Sequence, residues 1–358
     1  MTNFQGVATE VLPVDAQHPG PEAIERAAAI IRAGGLVAFP TETVYGLGGN
    51  ALDAAAVRRI FAAKERAPSD PLIVHIADAA DLSRIAREVP GAAMALARQF
   101  WPGPLTLVLP KQAAVPPEAT AGLDTVAVRL PSHPVALALI RAAGTPIAAP
   151  SANRFTRTSA TTAAHVLEDL DGRIELVLDG GPAIVGVEST VVAVDAAGVH
   201  VLRPGAVSLE ALRATLREAG HDIPVEVARP QAAPASPGML EKHYAPRARL
   251  CYVRGPREDA LARLRKELDA AAGQQAGLLL PDDDLAALGD VVSATTVASL
   301  GPSDDLEAVA HRLYAGLRAL DAAGVEVIFA RQLTGDGLAR AIDDRLRRAA
   351  TTVIEVAE

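Results

Sequence analysis

The hydrophobic positions near the start of the chain repeat first with the spacing of a helix and then with that of a strand. Between residues 21 and 33, apolar side chains recur every three or four residues from Ile24 to Ile31, with proline at the start and two glycines after the end. The next run, residues 36–39, is short and continuously apolar, which is typical of a buried strand. This alternation favours an α/β protein.

The same patterns predict further elements as far as residue 219. Short apolar runs predict strands at residues 72–75, 105–109, 125–130, 146–153 and 191–194. Helical spacing predicts helices at residues 54–61, 81–100 and 208–219. Residues 40–50 are rich in hydroxyl groups and glycine, and they are predicted to form a loop that opens into the next helix.

The composition changes after residue 219 and divides the chain. Residues 220–247 contain four prolines among Ala, Ser and Gln, which predicts a linker, although its Lys-His-Tyr run at 242–244 is more than a spacer needs. Beyond it, strands are predicted at 250–253, 276–280, near 291 and at 325–330, with a long amphipathic helix at 304–323. The predicted organisation is a larger domain (1–219), a linker (220–247) and a smaller Rossmann-like α/β domain (248–358).

Composition and charge narrow the class of protein. Half of the 358 residues are hydrophobic but only 3% are aromatic, so the core must be built from Ala, Val, Leu and Ile. The net charge of −9 gives no overall electrostatic footprint for nucleic acid. Cys251 is the only cysteine, which excludes an intrachain disulfide. With no export signal and no membrane-length apolar run, a cytoplasmic protein is expected.

Two cations, Lys64 and Arg66, stand where the predicted helix ends and a Pro-Ser-Asp-Pro turn follows. Both can lean toward one anion, with Arg66 offering a planar fork and Lys64 a mobile point charge. The alternative is a pair of solvated surface cations. Nearby, residues 46–51 formally match the dinucleotide fingerprint, but too far after the strand, so these glycines give either room for a ligand or simple turns.

Polar side chains also occur at other predicted strands. Thr125 and Arg129 share one face of a strand and would point together into a cleft, unless Arg129 is an outward-facing charge at an edge. Ser151 and Asn153 end the strand predicted at 146–153, and α/β sheets bind ligands at the carboxyl ends of strands, although a helix cap or turn explains these residues equally well.

Several common sites are absent from the sequence. It has no phosphate loop of the G-x-x-x-x-G-K-[ST] type, no paired histidines of metalloprotease spacing and no G-x-S-x-G elbow. The remaining candidates are cations and hydroxyls at the ends of strands and helices, which bind polyanions and small zwitterions by hydrogen bonds. The residues alone therefore predict an α/β protein with an anion-binding cleft.

Seven motifs, in order, resemble the threonylcarbamoyl-AMP synthase family in its long, two-domain form. They are Pro-Thr-Glu-Thr-Val-Tyr-Gly-Leu-Gly at 40–48, Lys-x-Arg at 64–66, Pro-Leu-Ile-Val-His at 71–75, Trp-Pro-Gly-Pro-Leu-Thr at 101–106, Ala-Pro-Ser-Ala-Asn at 149–153, Gly-Val-Glu-Ser-Thr at 186–190 and Arg-Pro-Gly at 203–205. The Lys-His-Tyr-Ala-Pro run at 242–246 and the α/β tail extend the resemblance to nearly the whole chain.

The resemblance implies a YrdC-like twisted mixed sheet flanked by helices, followed by the linker and the smaller domain. It also implies a reaction that joins L-threonine, bicarbonate and ATP into threonylcarbamoyl-AMP with release of pyrophosphate. The product would pass to a separate transferase complex for t6A modification of tRNA. Mg²⁺ is expected as a cofactor held through the ATP phosphates, with no metal ligand from the protein. Direct tRNA binding and the oligomeric state stay open.

The resemblance assigns a role to each matching residue. Lys64 and Arg66 would be catalytic through the phosphates, and Arg129 would pair with the threonine carboxylate. The implied ATP-binding residues are Lys64, Arg66, Asp70, Thr125, Ser151, Asn153, Ser159, Arg203 and Tyr244. The implied threonine-binding residues are Thr41, Thr43, His75, Arg129, Ala149 and Ser189. Tyr244 would act as a lid over ATP.

Two departures from the family pattern stand out. Ala67 precedes Pro68 where the family more often has proline directly after Lys-x-Arg, and Asp70 stands where asparagine is common. A competing hypothesis is a binding module for double-stranded RNA or tRNA, against which the net charge of −9 argues. A carbamoyltransferase of hydrogenase maturation would need zinc-finger cysteines that this sequence lacks.

Overall fold

The computed structural model describes residues 8–195, 197–228 and 242–356. These residues form two compact units. The first runs as far as residue 228, except for residues 156–158 and 185–187, and the second contains those two short segments together with residues 242–356.

Strands of the first unit form one mixed sheet flanked by helices. The strands are β1 (Glu10–Pro13), β2 (Val37–Phe39), β3 (Gly46–Asn50), β4 (Ile73–His75), β5 (Leu105–Pro110), β6 (Thr125–Arg129), β7 (Ile147–Ala148), β8 (Leu176–Asp179), β9 (Thr190–Asp195), β10 (Gly198–Arg203) and β11 (Val225–Val227). The helices are α1 (Pro21–Arg32), α2 (Ala54–Lys64), α3 (Leu82–Ile85), α4 (Gly91–Phe100), α5 (Pro117–Thr120), α6 (Pro134–Ala143), α7 (Ala163–Leu170) and α8 (Leu209–Glu218).

Within the described residues, the sheet order is β1-β8-β2-β3-β7-β4-β6-β5-β9-β10-β11. Alternate residues of β2 enter different cores: Leu36 and Ala38 pack with one hydrophobic cluster, and Val37 and Phe39 with another. Because successive side chains of a strand point to opposite faces, helices cover both faces of the sheet. The apolar stripe of α1, which includes Ile31, packs in the second cluster.

A parallel sheet forms the second unit. Its strands are β12 (Arg249–Arg254), β13 (Ala276–Leu280), β14 (Thr296–Ser299), β15 (Val327–Arg331) and β16 (Thr352–Glu355), in the order β14-β13-β15-β12-β16. Its helices are α9 (Arg257–Ala270), α10 (Asp282–Leu288), α11 (Leu306–Ala322) and α12 (Leu338–Ala349). Every strand pairing in this unit is parallel, as expected when helices connect successive strands.

Two predictions in the first half of the chain are wrong in detail. The single helix predicted over residues 81–100 is divided into α3 and α4, because Pro90 lacks a backbone N–H and restricts the residue before it. The predicted loop at 46–50 is strand β3, paired with β2. A Cβ atom on Gly48 would lie 2.7 Å from Phe39 and 2.8 Å from Ile147, so this glycine makes room for neighbouring side chains.

Two predictions after residue 219 also need correction. No regular structure was predicted between 220 and 247, yet Val225–Val227 forms β11 beside β10. The strand predicted near 291 is a 3₁₀ helix (Gly289–Ala294), and β14 follows it. Most of the predicted linker, residues 229–241, lies outside the described residues. Within the described ranges, no helix is long and apolar enough to cross a membrane.

Candidate active site

Side chains from five adjacent strands, all polar except Val191, are aligned in one row across the sheet of the first unit. His75 of β4 is in register with Arg129 of β6, which is in register with Thr106 of β5. Thr106 is paired with Val191 of β9, and Val191 with Arg203 of β10. Paired residues share a face, and strands lie about 4.8 Å apart, so this row spans roughly 19 Å.

Arg129 is buried at the end of β6 and is held by three groups. Its Nε donates to the carbonyl of Gly103 (3.3 Å) and its Nη1 to the hydroxyl of Thr43 (2.9 Å). Its Nη2 lies 2.7 Å from a carboxylate oxygen of Glu42. The contacts from three directions fix the plane of the guanidinium, so Arg129 is positioned before any ligand arrives.

The two threonines before β3 shape the turn that faces Arg129. The Thr41 hydroxyl donates to the carbonyl of Val44 (2.6 Å) and accepts from the backbone N–H groups of Thr43 (3.2 Å) and Val44 (3.3 Å). The Thr41 and Thr43 hydroxyls are 2.9 Å apart. Thr41 therefore supports the turn, whereas Thr43 reaches the guanidinium.

His75 lies beside Arg129 in the buried row. Burial, together with the neighbouring Arg129 charge, lowers the pKa of His75 from 6.5 to about 3, so its ring is neutral at physiological pH. The ring meets Phe39 edge-on, with centroids 6.4 Å apart. Ala149 lies near the same strand, because its N–H donates to the carbonyl of Ile73 in β4 (2.9 Å).

Arg203 and Ser189 form the other end of the row. Nη2 of Arg203 donates to the carbonyl (3.0 Å) and the hydroxyl (3.1 Å) of Ser189. That hydroxyl is also 2.8 Å from the hydroxyl of Thr106. One residue earlier, Glu188 accepts a 2.5 Å hydrogen bond from Ser159. The structure thus brings Ser189, Arg203 and Ser159 into one connected network.

Lys64 is the last residue of α2, and its side chain is buried. Its ammonium donates to the backbone carbonyls of Ser151 and Asn153. Glu65 follows in the left-handed conformation, with φ 55°, and ends the helix. Asn153 donates in turn to the carbonyl of Arg154 (2.8 Å). Lys64 therefore fixes the loop that carries Ser151 and Asn153, and the structure brings these three predicted residues together.

Arg66 forms a buried ion pair with Asp70, at 2.8 Å. Its Nη2 also donates to the carbonyls of Asp70 (3.1 Å) and Pro71 (2.8 Å). The guanidinium lies 5.9 Å and 6.0 Å from the ring centres of Phe61 and Phe155. Asp70 therefore balances the charge of Arg66, which an asparagine in its place would not do.

Thr125 lies apart from Arg129, and Tyr244 has partners within its own unit. Thr125 begins β6 and Arg129 ends it, so they share a face but are separated by about 13 Å along the strand. Tyr244 belongs to the second unit. There its buried ring stacks on Tyr314 (5.8 Å between centroids) and lies under the guanidinium of Arg345 (5.2 Å).

Sequence reasoning missed three buried partners of the predicted residues. Glu42 contacts Arg129, Thr106 contacts Ser189, and Glu188 contacts Ser159. All three stand inside motifs that carry the family resemblance. Glu42 and Glu188 are also next to predicted ligand-binding residues in the sequence, which was the available signal for these two acids. Among the described residues, no group of three acids, histidines or cysteines is arranged to hold a metal ion. The cations and hydroxyls favour an anionic or zwitterionic ligand.

Comparison with known families defines the class of protein. The Sua5_yciO_yrdC family, described as "Telomere recombination", matches residues 29–205, and the Sua5_C family, described as "Threonylcarbamoyl-AMP synthase, C-terminal domain", matches residues 207–351. The fold is thus that of a Sua5-type, two-domain α/β protein.

Individual relatives identify the family to which the chain belongs. Threonylcarbamoyl-AMP synthase of Pyrococcus abyssi is 44% identical and covers 91% of this chain and 93% of its own length. The Bacillus subtilis enzyme is also 44% identical, covering 91% and 92%. The crystal structure of P. abyssi Sua5 complexed with L-threonine is 42% identical, with a TM-score of 0.86 over 97% of this chain and 99% of that one. The chain belongs to the threonylcarbamoyl-AMP synthase family, and the resemblance and fold class read from the sequence are confirmed.

Proposed function

We propose that the chain is an L-threonylcarbamoyladenylate synthase, a nucleotidyltransferase that makes threonylcarbamoyl-AMP and pyrophosphate from L-threonine, bicarbonate and ATP. The product serves t6A modification of tRNA. The observation that carries the proposal is the buried row in which Arg129, oriented by Thr43, is joined through Thr106 to Arg203. Full-length relatives with the synthase name support the reaction.

One end of the row suits the amino acid. Arg129 binds the threonine carboxylate, because its guanidinium is already held in one plane by Thr43 and Gly103. Thr41 keeps the turn in shape, and His75 and Ala149 line the rest of the pocket. Ser189 borders it from the side of Arg203, where its hydroxyl is 2.8 Å from the hydroxyl of Thr106. A neutral His75 neither repels the substrate ammonium nor competes with Arg129 for the carboxylate.

The remaining cationic residues, Lys64, Arg66 and Arg203, suit the triphosphate. Once threonine and bicarbonate have formed a carbamate, a carbamate oxygen attacks the α-phosphate and pyrophosphate leaves. The protein's contribution is to hold the two reactants in line and to neutralise charge. Arg203 and Lys64 contribute more to phosphate binding than Arg66, because Asp70 already balances the charge of Arg66.

Other side chains position the nucleotide and its ion. Ser151, Asn153, Ser159 and Thr125 contact the nucleoside. Mg²⁺ is the expected cofactor and enters with ATP. When bound, it neutralises part of the phosphate charge. We also place the reaction in the cytoplasm, and the product passes to a separate transferase complex.

Pyrophosphate release by the purified full chain, with ATP and Mg²⁺, tests this function. Release must require both L-threonine and bicarbonate, and mass spectrometry must detect the threonylcarbamoyl adenylate. Lys64→Ala should abolish release, because the loop at Ser151 and Asn153 loses its anchor. The matched control is Lys111→Ala, since Lys111 also donates to a carbonyl, that of Val115 (2.9 Å), but lies outside the row. Release with ATP alone, or none from folded protein, refutes the proposal.

A further inference from the structure

Glu42 is a buried carboxylate with an unusual set of contacts. Only 6% of its surface is exposed, and one of its oxygens lies 2.7 Å from Nη2 of Arg129. The angles at this contact do not meet those of a hydrogen bond, and none of the described residues donates a hydrogen bond to either oxygen. A buried carboxylate without hydrogen-bond donors is costly, so the site is suited to a donor that the described residues do not supply.

The charges around Glu42 indicate what that donor is. Arg129 is the neighbouring cation, and two of its nitrogens already donate to Gly103 and Thr43. His75 is neutral because burial lowers its pKa to about 3, and burial also lowers the pKa of His133, which lies in the field of Glu42. A fixed anion beside a fixed cation matches a zwitterion, whose ammonium and carboxylate are separated by a single carbon atom.

We propose that Glu42 binds the ammonium group of the amino-acid substrate while Arg129 binds its carboxylate, and that Glu42 accepts the proton the amine loses before it forms the carbamate. This inference rests on the proposed function and adds a catalytic residue to it. It also explains why the site carries a balanced pair of charges: Glu42 and Arg129 neutralise each other until a ligand of the same dipolar pattern replaces their mutual contact.

The proton transfer balances as follows. The ammonium gives one proton to a Glu42 oxygen, which leaves a neutral amine with a lone pair. That lone pair bonds to the carbon of bicarbonate, the C–OH bond breaks, and hydroxide leaves with a second amine proton as water. The products are a carbamate with one N–H and a protonated Glu42, and the carbamate oxygen is then ready for the α-phosphate.

Calorimetric binding of two ligands tests the ammonium contact. They are L-threonine and (R)-3-hydroxybutyrate, which is threonine without its amine. In Glu42→Gln, L-threonine should bind about tenfold to a hundredfold more weakly, the range expected for a lost hydrogen bond to a charged group. 3-Hydroxybutyrate should bind as well as before or more tightly, because an anion competing for Arg129 has been removed. Glu118→Gln, whose carboxylate pairs with Arg58, is the matched control and should change neither affinity.

Equal weakening of both ligands would show that Glu42 only orients Arg129, and unchanged threonine affinity would show that it has no role; either result overturns the proposal. If Glu42→Gln does not fold, Glu42→Asp is the second variant, which keeps the negative charge but shortens the side chain by one methylene. Unchanged threonine affinity in Glu42→Asp would also overturn the proposal. A wild-type chain that binds threonine but makes no adenylate would refute the synthase function and leave the binding test intact.

The pH dependence of turnover tests the proton transfer. In Glu42→Gln the substrate must arrive as the free amine, so its rate should rise tenfold per pH unit below the pKa of the amine, more steeply than in wild type. Parallel profiles for the two proteins would overturn this step.

Discussion

His75 should make the first unit less stable as the pH falls. Burial and the Arg129 charge lower its pKa to about 3, whereas in the unfolded chain the pKa is 6.5. Below pH 6.5 the unfolded state therefore takes up a proton that the folded state does not, and the free energy of unfolding decreases. At about pH 5 the difference is about 2 kcal/mol relative to neutral pH, and the loss continues as the pH approaches 3.

Urea unfolding at about pH 7.5 and about pH 5 measures this contribution, with fluorescence of Trp101 as the signal. Trp101 is the only tryptophan of the chain and lies in the first unit, so it reports on the unit that contains His75. His75→Gln removes the titrating group, and its pH-dependent loss should be about 2 kcal/mol smaller than that of wild type. The control is His18→Gln, because the His18 side chain is 90% exposed. Equal losses in wild type and His75→Gln would refute the reasoning.

Three further predictions concern single residues. Asp70→Asn should tighten ATP binding about threefold, because Arg66 no longer shares its charge with a carboxylate; weaker binding would contradict this. Gly205→Ala should lower the free energy of unfolding by about 3 kcal/mol or more, because its Cβ would lie 2.3 Å from a backbone nitrogen, whereas Gly20→Ala has no atom within 4 Å and should be nearly neutral in a thermal melt. Burial raises the pKa of the Cys251 thiol to about 11, so a disulfide reagent at about pH 8 should label it only after denaturation; rapid labelling of native protein would contradict this.

The sequence predicted those helices and strands whose position and buried face follow from their own residues. The stripe of α1 repeats at helical spacing, and its buried residues are the ones expected. The helix predicted over residues 81–100 failed because its apolar spacing continues through Pro90, which breaks the helix whatever the periodicity. Strand β3 was missed because its glycines serve Phe39 on the neighbouring strand, and that partner is specified by the fold and not by the local residues.

The motifs named the residues of the candidate site, but they did not predict which of these residues contact one another. Motifs located Arg129, Arg203 and Lys64, and the structure places the first two on one row of paired strands. That Asp70 neutralises Arg66, or that Glu42 meets Arg129, depends on how segments approach in three dimensions, so local sequence gave no sign of it. The sequence shows that Glu42 and Asp70 stand within the motifs, but it does not show which arginine each carboxylate contacts.

The pairing of β5 with β9 has a consequence for synthesis of the chain on the ribosome. Thr106 and Val191 are neighbours in the sheet but far apart in sequence, so β5 and β6 have been synthesised before β9 and β10 are translated. Until then, β5 is a hydrophobic edge strand with unpaired backbone groups, the kind of edge that promotes aggregation. Production of active enzyme is therefore expected to depend on translation speed and on chaperones that cover this edge while β9 is made.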